Sequence, residues 1–203
     1  MSTFWDRWAR FYDLAERSNR AVNLAAAARV AELVPPGARV LDCAAGTGEF
    51  SLAVAKRAGT VLCTDQSLPM VEQARKKARK QGLTNLTFAR RDVTDLPDPD
   101  DSFDAVIAAN VLHLLPTPER AVRELWRVTV PGGRVILPTY LQGRAGTPYR
   151  SVIRIWQGIG FHYEYAFTRE SYRMLLEKLD LAPVTLEVIP GRLPEGIAVL
   201  EKP

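Results

Sequence analysis

Three short stretches of the chain carry residue types suited to holding a small molecule. The first is VLDCAAGTGEF, Val40–Phe50. An apolar run ends there in a tight loop holding Gly46 and Gly48, and helical spacing follows. Such glycines let a ligand approach the main chain closely, and the amides at a helix N-terminus are ready donors. The second is Asp65 in TDQSLPM, 17 residues beyond Gly48. A carboxylate ending a second strand is placed to accept hydrogen bonds from both hydroxyls of a ribose. Ser67, just before Leu68-Pro69, has the type and position of a helix cap, which leaves Asp65 available. The third is Asp92 in RRDVTDLP. A carboxylate there can accept from an adenine amino group while the Val93 amide donates to the ring. Plainer explanations stand beside these: a strand-to-helix turn for the loop, an Asx-turn for Asp92.

These residues are positioned by alternating elements. Arg39–Asp42, Thr60–Thr64, Asn85–Arg90, Phe103–Ala109 and Arg134–Leu137 read as strands. Phe50–Ala58, Leu68–Gln81 and Pro118–Val130 read as helices, the last stopped by Pro131-Gly132-Gly133. The pattern predicts an α/β fold: a Rossmann-like, seven-stranded, mostly parallel sheet with helices on both faces. The strands are apolar nearly throughout, as burial on both sides requires. Residues 3–33 read as two helices and Thr168–Leu179 as another. Val184–Ile189 and Ile197–Glu201 predict a closing antiparallel hairpin.

The composition narrows the classes. The chain has 203 residues, 47% hydrophobic and 25% charged, enough for one domain with a sizeable core. Cys43 and Cys63 are too few for a disulfide framework or a zinc site, so no metal is expected. No apolar run reaches a membrane span and the start is too charged for a secretory signal, so a cytoplasmic protein is expected. The net charge of +4 is mild, and the basic run at 74–82 reads as a solvated helix face. No nucleic-acid partner is expected.

In order, the runs VLDCAAGTGEF, TDQS, RRDVTDLPDPDDSFDAVIAANVLHLLP and LWRVTVPGGRVIL resemble the class I S-adenosylmethionine-dependent methyltransferases. The similarity covers residues 38–138. It is nearest the small-molecule branch typified by ubiquinone/menaquinone-biosynthesis methyltransferases. The resemblance implies S-adenosylmethionine as donor and S-adenosylhomocysteine as product. It implies that Asp42, Ala44, Ala45 and Gly46 line the methionine moiety, with Gly48 in the same loop. It puts ribose on Asp65 with Gln66 beside it, Met70 against the adenine, and Asp92 and Val93 on the adenine edge. It assigns the methionine amine to the backbone carbonyl of Asn110. Many members have glycine where Ala44 stands. The implied acceptor is a small molecule: a quinol or phenol, an activated carbon, an amine or a lipid-like compound. A nicotinamide-dinucleotide oxidoreductase is the rival, but its GxGxxG pattern needs glycine where Ser51 stands. A non-catalytic cofactor-binding partner subunit is a further alternative.

The expected division is one domain over 1–203: N-terminal helices and cover at 1–33, a cofactor-binding core at 38–138, a substrate lid at 141–167, and a closing helix and hairpin at 168–203. Aromatic placement motivates the cover. Phe4, Trp5, Trp8, Phe11 and Tyr12 share one helical face, and Tyr140, Tyr149, Trp156, Phe161, Tyr163, Tyr165, Phe167 and Tyr172 form a second group. Tyr12 is the residue expected to reach the cofactor. The same segment carries Arg144, Arg150, Arg154 and Arg169 against Glu164 and Glu170, which suits an acceptor carboxylate or phosphate, with a solvated loop surface as the alternative. Gly143, Gly146, Gly158 and Gly160 would ease its bending. His113, three residues after Asn110, is the candidate general base, with a structural histidine as the alternative. His162 falls in the lid.

Overall fold

The structure is a computed structural model that describes residues 4–10, 12–142, 163–181 and 183–203. Seven strands form one sheet: β1 Arg39–Cys43, β2 Thr60–Asp65, β3 Leu86–Arg90, β4 Phe103–Ala108, β5 Thr129–Tyr140, β6 Pro183–Ile189 and β7 Glu195–Glu201. Their order is β3-β2-β1-β4-β5-β7-β6. Strands β1 to β5 pair in parallel, and β7 runs antiparallel to both β5 and β6. The predicted sheet and hairpin are therefore the observed ones.

Helices lie on both faces, and the pleat divides the core between them. Val40, Ala105, Ile107, Ile136, Ile197 and Val199 pack with the helices α3 (Arg20–Leu33) and α4 (Glu49–Val54). Their strand neighbours Leu41, Val106, Val135, Leu137, Ala198 and Leu200 pack with α6 (Pro118–Val128) and α7 (Arg169–Glu177). The period of two explains why these strands are apolar at nearly every position. Between them in sequence, α5 (Leu68–Lys80) starts on Ser67, whose hydroxyl accepts from the Met70 amide at 3.4 Å. Among the described residues no helix is long and apolar enough to cross a membrane.

Three expectations need correction. The first segment is not one helix: α1 (Phe4–Trp8) and α2 (Tyr12–Ala15) are separated by a break, and a 3₁₀ turn at Glu16–Asn19 precedes α3. The shared helical face is broken with it, and Phe11 lies outside the described residues. Pro131-Gly132-Gly133 does not separate α6 from β5. The helix stops at Val128, and β5 runs through all three residues as a bulge, with Phe103 paired to Thr129 and Ala105 to Arg134. The Gly132 amide and Gly133 carbonyl bond the main chain of Lys202, which holds the bulge in the sheet. The α4 helix is also shorter than its apolar spacing suggested, because the chain turns after Val54 toward Gly59. Most of the expected lid, residues 143–162, lies outside the described residues, including Arg144, Arg150, Arg154 and His162.

Candidate functional site

The glycine loop turns over the carboxyl end of β1. Ala44 and Gly46 both take left-handed backbone angles, φ +51° and +55°. The Ala45 amide donates to the Thr64 carbonyl at 2.9 Å, and the Gly48 amide to the Ala45 carbonyl at 2.8 Å. At Gly46 an added Cβ would meet only Tyr12, at 4.0 Å, so this glycine faces open space below the N-terminal segment. At Gly48 it would lie 2.8 Å from the Ala74 Cβ of α5. That glycine serves the close approach of two helices.

Asp65 ties the loop to the next turn. One carboxylate oxygen accepts from the Gly46 amide and the other from the Ser67 amide, both at 2.8 Å. Burial pushes its pKa up, and those two bonds oppose the rise. So Asp65 is not wholly free, as the capping argument implied, although each oxygen keeps acceptor capacity. Asp92 makes the Asx-turn: one oxygen accepts from the Thr94 amide at 2.9 Å and the Thr94 hydroxyl at 2.7 Å. Its other oxygen accepts from Gln66 at 3.4 Å.

These residues surround a cavity of about 220 Å³ at the carboxyl ends of the strands. Ala44, Ala45 and Gly46 form one wall, and Asp65, Gln66 and Met70 the next. Asp92, Val93 and Asn110 follow, and Tyr12 with Trp5 comes over from the N-terminal segment. The cavity sits between β1 and β4, where the strand order reverses and open α/β sheets bind ligands. Asn110 is locked by its side chain: Nδ2 donates to Glu195 at 2.8 Å, and Oδ1 accepts from the Tyr140 amide at 2.9 Å. Its left-handed backbone, φ +52°, is thereby held in place.

Three predicted site residues do not line the cavity: Asp42, Gly48 and His113. Asp42 is buried in β1 and accepts a 2.5 Å bond from the Ser51 hydroxyl of α4. Its other oxygen has no hydrogen-bond partner among the described residues, and burial raises its pKa to about 7. His113 packs near Tyr140, with ring centroids 6.1 Å apart. Its Nδ1 is buried without a hydrogen bond among the described residues, and burial lowers its pKa to about 4. Its carbonyl accepts from the amides of Glu164 and Tyr165, so this stretch anchors the C-terminal part of the expected lid segment. The structural alternative for His113 fits this geometry.

Sequence reasoning did not single out Glu16, Asn23, Glu49 or Glu195. The Tyr140 hydroxyl donates to Glu16 at 2.7 Å, and Asn23 Nδ2 donates to the same oxygen at 2.7 Å. Asn19 continues the chain to Asn23 and to the Leu193 carbonyl. Thr47 and Lys77 both bond Asp13, which fastens the N-terminal segment to the glycine loop. Glu195 is fully buried, with its pKa raised by burial to about 8. A carboxylate opening an otherwise apolar strand was the available signal for Glu195. The other contacts join residues over a hundred positions apart, or depend on helix breaks that no local pattern gives.

A family model described as "Methyltransferase domain" matches residues 41–137. The chain is 31% identical over 161 residues to a phosphatidylethanolamine N-methyltransferase of Cereibacter sphaeroides, covering 77% of each chain. It is 39% identical over 117 residues to a demethylmenaquinone methyltransferase of Thermus thermophilus, covering 55% of this chain and 53% of that one. It spans 37% to 53% of the length of this relative and several others. A solved S-adenosylmethionine-dependent methyltransferase of Aquifex aeolicus shares the fold at TM-score 0.73 and 20% identity, over 94% of this chain and 96% of that one.

Proposed function

Because this chain belongs to the class I S-adenosylmethionine-dependent methyltransferases, we propose that it is an enzyme moving a methyl group from that donor to a small-molecule acceptor. The observation that carries the reading is the convergence of Gly46, Asp65 and Asp92 on one cavity at the strand-order reversal. The donor set fits the group. Asp65 offers acceptors for ribose hydroxyls, Met70 and Val93 an apolar wall for a flat ring, and Asp92 an acceptor at its edge. With the Asn110 side chain committed to Glu195 and Tyr140, that residue is left to act through its main chain.

When bound, S-adenosylmethionine supplies an electrophilic methyl on a sulfonium and leaves as a neutral thioether. Trp5, Tyr12 and Tyr140 present aromatic surface, which attracts cations. Burial raises the pKa values of Tyr12 and Tyr140, so both phenols stay protonated at neutral pH. They therefore serve as walls and donors, not bases. With His113 outside the cavity, the proposed acceleration rests on alignment and exclusion of water. The N-terminal segment and residues 141–167 are proposed as the cover that supplies both. We set the enzyme in the cytoplasm, where the buried thiols of Cys43 and Cys63 stay reduced.

Calorimetry tests the donor: S-adenosylhomocysteine is expected to bind and NAD is not. The reverse result would overturn the reading. Mass-spectrometric screening of quinols, phenols, amines and lipids for a gain of one methyl group tests the transfer.

A further inference from the structure

We propose that Glu195 is a positioning residue for the amino-acid end of the methyl donor: its buried carboxyl holds the Asn110 main chain in the shape which that end requires. The inference rests on the methyl-transfer reading and deepens it with a residue from behind the cavity wall. Asn110 lies two positions past β4 and lines the donor cavity. It keeps a left-handed backbone, φ +52°, which few side chains adopt and Asn tolerates best. Residues in such conformations persist where their surroundings over-determine them, often at ligand clamps. Three bonds do so here. The Asn110 amide donates to the Pro138 carbonyl at 2.8 Å, its Oδ1 accepts from the Tyr140 amide at 2.9 Å, and its Nδ2 donates to Glu195 at 2.8 Å.

The first two bonds come from β5, which neighbours β4, and the third from β7 on the far side of β5. Main-chain pairing brings that carboxyl within reach. Glu195 stands opposite Tyr140 in the β5–β7 register, and the Leu141 amide donates to the Pro194 carbonyl at 2.8 Å. The Asn110 side chain can face only one way. The Tyr140 N–H needs its oxygen, so its nitrogen faces Glu195 and needs an acceptor there. The rest of β7 from Gly196 to Leu200 is buried and without ionisable groups. An apolar residue at the start of the strand would pack without the desolvation cost of a carboxyl. Instead Glu195 is fully buried, and its second oxygen has no hydrogen-bond partner among the described residues. Departures from the packing rules of that kind collect at functional sites. Burial raises its pKa to about 8, and a neutral carboxyl still accepts through its carbonyl oxygen. In the reading above, Asp65, Gln66, Met70, Asp92 and Val93 serve the nucleoside. Asn110 and the glycine loop remain for the methionine-derived chain.

Calorimetry with two ligands is the test: S-adenosylhomocysteine, and 5′-methylthioadenosine, which has the nucleoside and a thioether but no amino acid. The parent protein should prefer the first. Glu195→Met keeps the length of the side chain and offers no oxygen, so it should cut that preference about tenfold, the effect of one hydrogen bond. Affinity for 5′-methylthioadenosine should stay within about twofold, because Asp65 and Asp92 are untouched. Glu195→Gln restores an acceptor and should restore the preference. Asn110→Gly removes the clamped side chain from a position that still reaches the left-handed conformation. It should lose the preference by itself, and adding Glu195→Met should change the result by less than about twofold. A Glu195 that only stabilises the fold would weaken both ligands in proportion when changed to Met, and that result would overturn the proposal. So would an unchanged preference in folded Glu195→Met or in Asn110→Gly, or its loss in Glu195→Gln. Asn110→Gly reads the same clamp from its other end, so an unfolded Glu195→Met leaves that comparison to decide. A parent that binds both ligands alike would overturn the positioning role and leave the methyl-transfer reading standing. A parent that binds neither would sink both.

Discussion

Asp65 carries two loads that a substitution can separate. It bonds the amides of Gly46 and Ser67 and also faces the cavity. Asp65→Asn keeps its shape and part of its acceptor capacity but removes the charge. Hydrogen bonds to a charged acceptor contribute about 1.5–3 kcal/mol each. S-adenosylhomocysteine affinity measured by calorimetry is therefore expected to fall on the order of 10- to 100-fold, with the melting temperature lowered less than in Asp65→Ala. For His113→Gln the expectation runs the other way: the side chain is outside the cavity, so donor affinity should stay within about threefold. A hundredfold loss would restore the histidine to the site. At this scale the sequence was partly legible. Carboxylates at strand ends announce themselves by spacing, since the end of a parallel strand is where a sheet meets its ligand. Asp42 does not line the cavity because it is one position inside β1, where the pleat sends its side chain toward Ser51 of α4. Sequence spacing gives the strand and not which way the last residue points.

Among the elements, the junction of the glycine loop with α4 and α5 is the tightest contact near the site. Gly48→Ala would put its Cβ against Ala74 and force a side chain into φ +85°. Strain of that kind costs about 1–3 kcal/mol, and chemical denaturation should read a loss of that size. The double variant Gly48→Ala/Ala74→Gly should recover part of it, since the clash goes and the backbone strain stays. The alternating elements were readable because strand and helix periods differ and Gly or Pro punctuates nearly every change. The bulge in β5 was not, because its Pro-Gly-Gly has the composition of a stop. What keeps it in the sheet is pairing with Lys202, some seventy residues away. The broken N-terminal segment hid for a similar reason. Its polar contacts with the glycine loop, β5 and the hairpin loop decide where the turns fall, and those partners are distant in the chain.

For the molecule as a whole, two buried carboxyl groups set a pH dependence. Asp42 has a folded pKa of about 7 and Glu195 of about 8, both raised by burial. Their unfolded values are about 3.9 and 4.3. Between those limits the unfolded chain releases protons that the folded chain retains, so stability is greatest below the unfolded values and declines as pH rises through 7 to 8. One pKa unit corresponds to about 1.4 kcal/mol, which bounds the effect at roughly 4 kcal/mol for Asp42 and somewhat more for Glu195. Denaturant midpoints measured from pH 5 to 9 should fall with pH. Asp42→Asn and Glu195→Gln should each flatten the slope, and a parent slope of zero would contradict both assignments. The N-terminal segment has a consequence of another kind. Trp5 and Tyr12 roof the donor cavity, and Asp13 is clamped to Thr47 and Lys77 beside it. With the N-terminal segment acting as the cover proposed above, the donor would enter before it settles and the spent thioether would wait for it to lift. Steady-state kinetics should then be ordered, with S-adenosylmethionine adding first and S-adenosylhomocysteine leaving last. The product should inhibit competitively against the donor and non-competitively against the acceptor. Loosening the clamp with Asp13→Asn should shorten the residence time of the product and raise turnover wherever its escape is the slow step.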